Sequence, residues 1–376
     1  MARRSATDTH RLRVILFEVP RGRIRQSTAA NSYSPFWRRN GFRPPDGIEW
    51  STANRSALSG LLDKNSEPIL GQGPAEISVG AITEQTIMVK IRSLTQQDLP
   101  AADRIFRLAF ATFLGVPEPE QFWADLAYAR TRWPADPTAA FGAELNGELV
   151  GSNFATRWGS VGFFGPLTVR PDLWDRKIAQ RLMDPIMERF DSWGVIHAGL
   201  FTFAQSPKHL GLYYKYGFRP RFLTAIMSKA VEPKRGTSGW TMYSQISESE
   251  RKGCLEACRQ VTESIYPGLD VEREIRATHT QGLGETLLIN EGADVVGFAV
   301  CHCGPGTEAG NQKCYVKFGA VQPGSTAGAR FDHLLDACEE LAAARSLARL
   351  EAARVWPGTR RMPQCSNVAS GRTFRA

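Results

Sequence analysis

Apolar and polar positions between residues 88 and 232 follow two alternating patterns. Short runs of branched and aromatic residues predict β-strands, and segments with apolar residues every three or four positions predict amphipathic α-helices. The predicted order is strand 89–94, helices from 99 and from 117, strands 139–145, 148–155 and 161–169, a helix from 178, strand 197–204, a helix from 207 and strand 222–228. This order predicts an α/β (α+β) fold.

The segment 165–193 joins a strand, a loop and a helix. Residues 167–169 are strand formers, and Pro171 ends the strand because it has no N–H to give to a sheet ladder. The helix from Ile178 follows the loop directly, so its first backbone N–H groups have no partner and lie at the positive end of the helix dipole. The sequence therefore predicts a site for a phosphate group here.

The same order of elements begins again after a polar linker at 233–240. The Val-Gly pair at 150–151 recurs at 296–297, and the Val-x-Pro triplet at 169–171 recurs at 321–323. The displacements, 146 and 152 residues, are nearly equal. They indicate an internal repeat of whole-domain size, with residues 241–352 as the second copy.

Both ends of the chain differ from the middle. Residues 1–87 lack sustained periodicity and are expected to be a disordered extension, with Met88 as a possible true start. Residues 353–376 are expected to be an irregular, foreign tail. Residues 1–86 and 351–376 each carry a net charge of +4 out of +8 for the whole chain, so the middle is neutral. Binding of nucleic acid by the basic ends stays an alternative function, but nucleic acid is not the expected partner.

Composition is that of a soluble globular protein, and no apolar run reaches the roughly 18 residues of a membrane span. All seven cysteines lie at or after Cys254, and an odd number without a secretion signal favours reduced thiols in the cytoplasm. Cys301-His302-Cys303 would place its histidine on the opposite face of a strand from its cysteines. No metal site is therefore expected.

Two stretches resemble motifs A and B of the GNAT (Gcn5-related N-acetyltransferase) superfamily. The segment 165–193 resembles motif A, whose loop runs Arg/Gln-x-x-Gly-x-Gly/Ala; the loop here is 174–179, and Ala179 matches while Lys177 replaces the first glycine. The segment 197–218 resembles motif B in its Leu-Tyr-x-Lys-x-Gly-Phe ending. The matching residues are Leu212, Tyr213, Lys215, Gly217 and Phe218.

The resemblance covers residues 88–232 and implies a fold of two tandem GNAT-like domains, each a mixed, mostly antiparallel sheet flanked by helices. Residues 88–232 would be the acyltransferase domain. Residues 241–352 would be a degenerate, incomplete copy, because Ala329 and Phe331 stand at its loop glycine positions and no second motif B follows.

The resemblance also implies an N-acetyltransferase that moves an acetyl group from acetyl-CoA, as co-substrate, to a small-molecule or peptide amine without a covalent enzyme intermediate. Tyr213 would be the general acid, with Tyr214 and Tyr216 as weaker candidates and plain core packing as the alternative role for Tyr213. No residue stands out as the general base: Glu144 and His197 lie on suitable strands, but a structural role is expected for each, and removal of the amine proton through water stays open. A non-catalytic acyl-CoA-binding protein is the alternative function. The implied acetyl-CoA-binding residues are Leu167, Thr168, Val169, Trp174, Asp175, Arg176, Lys177, Ile178, Ala179 and Ser206.

Overall fold

The computed structural model describes residues 13–20, 88–232 and 239–355 of this 376-residue chain. Its strands are β1 (Arg13–Pro20), β2 (Lys90–Ser93), β3 (Ala140–Leu145), β4 (Glu148–Trp158), β5 (Val161–Phe164), β6 (Thr168–Val169), β7 (His197–Phe203), β8 (Arg219–Ala230), β9 (Trp240–Met242), β10 (Gly284–Glu291), β11 (Asp294–Cys303), β12 (Lys313–Val321) and β13 (Arg349–Val355). Its helices are α1 (Leu99–Leu114), α2 (Tyr128–Ala135), α3 (Ile178–Ser192), α4 (Pro207–Lys215), α5 (Glu248–Glu263), α6 (Glu272–Thr280) and α7 (Ala327–Ala344).

Hydrogen-bonded neighbours run in the order β2-β3-β4-β5-β7-β1-β8-β13-β12-β11-β10-β9, and β6 pairs with β4 beside this path. The pairs β5/β7 and β12/β13 are parallel, and the other pairs in the described chain are antiparallel. The result is the α/β architecture that the order of patterns predicts, with the mixed, mostly antiparallel strand pairing that the resemblance implies. The two halves of the chain meet where β8 pairs with β13.

Helix α3 covers the sheet of the first half with one apolar face. The residues of that face recur at spacings of three and four and are almost fully buried: Ile178, Leu182, Met183, Ile186 and Phe190. In the second half, α7 packs Leu334, Cys338 and Leu341 in the same manner. The burial of both faces agrees with the sequence periodicity, because only the apolar stripe of a helix that faces the sheet is removed from water.

The two Val-Gly pairs of the repeat occupy equivalent places in the sheet. Gly151 on β4 pairs with Val169 on β6, and Gly297 on β11 pairs with Val321 on β12. A Cβ on Gly151 would lie 2.8 Å from the carbonyl oxygen of Thr168, and one on Gly297 would lie 3.0 Å from that of Ala320. Both positions therefore require glycine because the neighbouring strand passes too close for a side chain.

The N-terminal segment 13–20 differs from the expectation of an extension outside the fold. It forms β1, which pairs antiparallel with β7 on one side and with β8 on the other. The apolar run within it is short, but a strand between two others needs only a few residues, because successive residues satisfy backbone groups on one neighbour and on the other in turn. The remainder of 1–87, most of the linker at 233–238, and 356–376 lie outside the described residues.

Other boundaries also differ from the sequence prediction. The second helix begins at Tyr128 rather than at Pro117, and turns occupy 117–127. Trp123 has a φ of 51°, a left-handed conformation that an α-helix does not contain. In the second half, β9 begins inside the predicted linker at Trp240, and β13 extends three residues beyond 352.

Candidate active site

The parallel pair β5/β7 separates part-way along its length. It is hydrogen-bonded only from Val161↔His197 to Phe163↔Gly199. The chain then leaves β7, and its continuation, β6, pairs with β4 alone. The gap between the diverging strands opens into a cavity of about 780 Å³. Its walls come from β5, β6, β7, β8, α1, α2, the N-terminal turn of α3, the whole length of α4 and residues of the second half.

The N-terminus of α3 faces this cavity. The first backbone bond across the helix start runs from Arg181 N to Lys177 O at 3.3 Å, so the N–H groups of Ile178, Ala179 and Gln180 precede the intrahelical ladder. All three residues line the cavity, and no acidic residue lies in the first turn. These donors and the helix dipole favour a phosphate or other anion at this end of the cavity.

Lys177 gives the loop before α3 a glycine-like backbone. Its φ is 61°, and that of Asp175 is 67°, both in the left-handed region. The loop thus follows the path that glycine would permit, although lysine adopts this conformation at some cost. Lys208 on α4 forms an ion pair with Asp175 at 2.5 Å and lies 5.6 Å from the ring centre of Trp174. This contact joins the loop of α3 to the start of α4 beside the cavity.

Tyr213 lies on the cavity wall near the C-terminal end of α4. Its side chain is buried, its hydroxyl hydrogen-bonds to Thr202 of β7, and its ring meets that of Phe164 edge-on at 5.8 Å. Burial raises the pKa of Tyr213 above its usual range, and the bond to Thr202 opposes this only in part. The phenol therefore stays protonated at neutral pH and is able to donate a proton.

The cavity collects nine of the eleven site residues that the sequence suggests. These are Leu167, Thr168, Val169, Trp174, Asp175, Lys177, Ile178, Ala179 and Tyr213. Arg176 and Ser206 are not on its wall. Ser206 caps α4 instead, accepting a hydrogen bond from the N–H of His209 at 3.3 Å, because a helix start must satisfy its free N–H groups.

The other catalytic candidates lie away from the cavity wall. Glu144 binds Arg92 at 2.6 Å, and His197 packs against the ring of Tyr266 at 5.5 Å. Tyr214 is exposed beneath Arg219, and Tyr216 donates a hydrogen bond to Gln180 O at 2.7 Å. Neither Glu144 nor His197 lines the cavity, so the structure brings neither of them to the gap, and removal of the amine proton through water stays a prediction.

His209 is a cavity residue that sequence reasoning misses. Its ring packs between Phe113 and Phe203, with centroids 4.8 and 6.1 Å away. Burial, and then the charge of Lys208, lowers the pKa of His209, and its Nδ1 is buried without a hydrogen-bond partner among the described residues. It precedes Tyr213 by four residues, so helical spacing alone was a signal that both face one side.

Arg132 and Glu308 are two further cavity residues without any sequence signal. Arg132 on α2 binds both carboxylate oxygens of Glu308 from the second half, at 2.8 and 2.9 Å, and also donates to the carbonyl of Gly165. Lys317 binds the same carboxylate at 2.9 Å and that of Glu274 at 2.9 Å. Burial raises the pKa of Glu308, but Arg132 and Lys317 outweigh it and hold that pKa well below its usual range.

The described segments contain neither a metal-binding group of side chains nor a helix fit to span a membrane. No group of three or more histidine, cysteine or acidic residues there is arranged to hold a metal ion. None of the helices in 88–232 and 239–355 is long and apolar enough to cross a membrane.

Comparison with known proteins gives one family match. Residues 102–218 match the model of the acetyltransferase (GNAT) family. No curated protein matches the chain. A GCN5-related N-acetyltransferase from Sphaerobacter thermophilus is 17% identical, with 73% of this chain and 89% of that chain covered and a TM-score of 0.49. A putative acetyltransferase from Pyrococcus horikoshii is 15% identical, with coverages of 77% and 82% and a TM-score of 0.47. The PaiA N-acetyltransferase from Thermoplasma acidophilum in complex with coenzyme A is 18% identical, with coverages of 35% and 90% and a TM-score of 0.30.

Proposed function

Because residues 102–218 belong to the GNAT acetyltransferase family, we propose that the protein is an N-acetyltransferase that uses acetyl-CoA. The observation that carries the proposal is the position of Tyr213. This protonated phenol lies on the wall of the gap between β5/β6 and β7, and the same cavity ends at the free N–H groups of α3. An anion site and a proton donor therefore face one elongated cavity, which is the arrangement that a thioester with a diphosphate requires.

The chemistry is a direct acyl transfer. The lone pair of a neutral amine forms a C–N bond to the thioester carbonyl carbon, and the C–S bond breaks with its electrons moving to sulfur. The amine nitrogen loses one proton, and the sulfur gains one as the thiol leaves. No oxidant or covalent enzyme intermediate is involved, so catalysis depends on holding two reactants in line and on proton transfer.

Several residues that line the cavity have a role in this proposal. The N–H groups of 178–180 bind the diphosphate, and Lys177, Lys208 and Lys215 add positive charge along the cavity. Residues 167–169 present strand backbone to the pantetheine arm. Tyr213 gives its proton to the leaving sulfur, and Thr202 holds the phenol in place.

The second half of the chain is proposed to be a degenerate copy without its own acetyl-CoA site, so that the protein is a tandem GNAT. The equivalent pairs Gly151↔Val169 and Gly297↔Val321 support the repeat. Phe331 supports the loss of the second site, because the 152-residue displacement of the repeat aligns this bulky ring with Ala179 and the ring lies near the start of α7. A cytoplasmic location stays a prediction; the six cysteines within the described segments are free thiols.

Titration calorimetry of the full chain with acetyl-CoA tests the proposal. We expect one molecule bound per chain. Ala179→Glu, which puts a carboxylate at the N-terminus of α3, should weaken binding at least about tenfold by repelling the diphosphate. Ala329→Glu in the first turn of α7 is the matched control and should leave binding unchanged. No binding, or equal loss in both variants, would contradict the proposed site.

A further inference from the structure

The cavity is completed by the second half of the chain. The segment after β11 contacts the approach to α2 through two backbone bonds, Ala127 N to Thr307 O at 3.1 Å and Gly306 N to Asp125 O at 2.9 Å. It thereby brings Glu308 onto the cavity wall beside Arg132, and Tyr315 of β12 lies on the same wall. The acceptor chamber, defined as the part of the cavity lined by α1, α2, β7, β8 and these second-half residues, thus exists only with both halves.

One wall of the acceptor chamber is a continuous aromatic surface. Phe106 lies 4.7 Å from Phe110, 5.8 Å from Trp123 and 4.8 Å from Tyr128, measured between ring centres. The four rings pack against one another, so together they form one apolar wall of the chamber. The free energy of binding to such a wall comes mainly from the apolar area that the ligand and the rings remove from water.

Two other chamber residues expose apolar area although they lie within a cavity. Phe201 on β7 is 48% exposed, and Ile226 on β8 is 41% exposed. Large apolar side chains lining a concave site and left uncovered by the protein indicate that a ligand covers them. The occupant must therefore carry an apolar body.

The charges at the chamber compensate each other. Arg132 and Glu308 lie on its wall, and Lys317 and Glu274 lie directly behind them in the same chain of ion pairs. Two cations balance two carboxylates, so the chamber has no net negative charge with which to attract an ammonium group or a polycation. Low polarity also favours the neutral form of an amine, which is the form that attacks the thioester.

Resting on the proposed function, we propose that the acceptor is a primary monoamine carried on an aromatic or bulky apolar body, and that Glu308 and Tyr315 of the second half help to recognise it. Glu308 acts by positioning Arg132. Arg132 donates three of its five N–H groups to Glu308 and Gly165, which fixes its guanidinium at the chamber wall and so sets the space open to the apolar body. Polyamines and lysine-rich peptides do not fit this chamber, because their additional charges would lose hydration without a partner.

The test measures turnover of the full chain with acetyl-CoA by release of the free thiol. The panel is 2-phenylethylamine, 2-cyclohexylethylamine, spermidine and a peptide with several lysines. We expect kcat/KM for the two apolar monoamines to exceed that for spermidine and the peptide by about tenfold or more. Acetyl-CoA affinity, from calorimetry, is recorded in parallel.

Phe201→Gln is the first variant, because an exposed side chain is replaced without opening a core cavity. It should raise KM for 2-phenylethylamine about tenfold and leave acetyl-CoA affinity unchanged. Ile265→Gln is its control, since Ile265 is 49% exposed and lies off the cavity wall. Glu308→Gln and Tyr315→Phe should likewise raise KM for the amine and leave acetyl-CoA affinity unchanged. Glu120→Gln is their control, because it removes only an exposed ion pair with Arg104.

The outcomes separate the two proposals. Absence of acetyl-CoA binding overturns the proposed function and this inference with it. If acetyl-CoA binds, three results overturn the acceptor class alone. They are a preference for spermidine or the peptide, turnover of none of the four amines, and equal effects of Phe201→Gln and Ile265→Gln. A Phe201 effect without any from Glu308→Gln and Tyr315→Phe overturns the part assigned to the second half.

Discussion

His302 holds Glu308 in place from inside the second half. The Nδ1 atom of His302 accepts a hydrogen bond from the backbone N–H of Glu308 at 3.4 Å, and its Nε2 lies 3.5 Å from the hydroxyl of Thr278. This pattern needs a neutral imidazole with its proton on Nε2. Burial, and then the charge of Lys317, lowers the pKa of His302 to about 4. The segment that places Glu308 in the cavity is therefore sensitive to acid.

Stability should fall as the pH drops from 7 to 4. In the unfolded chain His302 takes up a proton near pH 6.5, while in the folded chain it resists protonation down to about pH 4. The unfolded state binds more protons in this window, so its free energy drops relative to the folded state by about 3 kcal/mol at most. Denaturant unfolding of His302→Asn should show a weaker pH dependence, because an amide oxygen can accept the same N–H without titrating.

The matched control for that experiment is His333→Asn on α7. It should keep the pH dependence of the unaltered chain between pH 6.5 and 4. If His302→Asn and the unaltered chain lose stability in parallel over this window, the assigned role of His302 is wrong.

Tyr213→Phe should lower turnover with an acceptor amine by roughly ten- to a thousand-fold, because the leaving sulfur loses its proton donor. Acetyl-CoA affinity should stay within about twofold, since the ring and its packing remain. Tyr214→Phe, one residue along and exposed, is the control and should keep normal turnover. Thiol release at saturating acetyl-CoA measures both, and an unchanged rate in Tyr213→Phe would remove the phenol from the mechanism.

Lys177→Gly should raise the free energy of unfolding by about 1 kcal/mol, because the left-handed φ of 61° costs glycine nothing. The larger conformational entropy that glycine gives to the unfolded chain reduces this gain. Acetyl-CoA affinity should fall by less than about tenfold, because the backbone at the anion site keeps its path and two of the three cavity lysines remain. Thermal unfolding and calorimetry measure the two effects. A loss of affinity above tenfold would show instead that the lysine charge binds the diphosphate.

Asp175→Asn should tighten acetyl-CoA binding about two- to fivefold at low salt, with a smaller gain at high salt. The carboxylate of Asp175 lines the cavity near the proposed diphosphate and also occupies Lys208, so its removal takes away a repulsion and releases a cation. Asp172→Asn is the control, because Asp172 pairs with Arg170 in the same loop but is not on the cavity wall. Equal effects of both changes would argue against an anion at this point.

Periodicity and local residue chemistry predicted most of the elements between residues 88 and 352. The apolar stripe from Ile178 to Phe190 and the loop before it predicted α3 and the unpaired N–H groups at its start, whereas Tyr213 was singled out by the resemblance of its helix to motif B of the GNAT superfamily. These features are local, since a helix face, a cap and a turn are each decided by residues within a few positions of one another.

The tertiary structure alone decided which distant residues share the cavity. Arg132 and Glu308 are 176 positions apart, and no local pattern indicates that they form an ion pair beside the gap. Segment 13–20 was likewise predicted to be an extension outside the fold. Its place in the sheet depends on the backbone groups that β7 and β8 offer for pairing, and its own composition does not reveal them. Local periodicity thus determined most of the elements and the helix start that is proposed to bind the cofactor, while long-range pairing of charges and strands decided the other end of the cavity, since such contacts depend on which surfaces meet after folding.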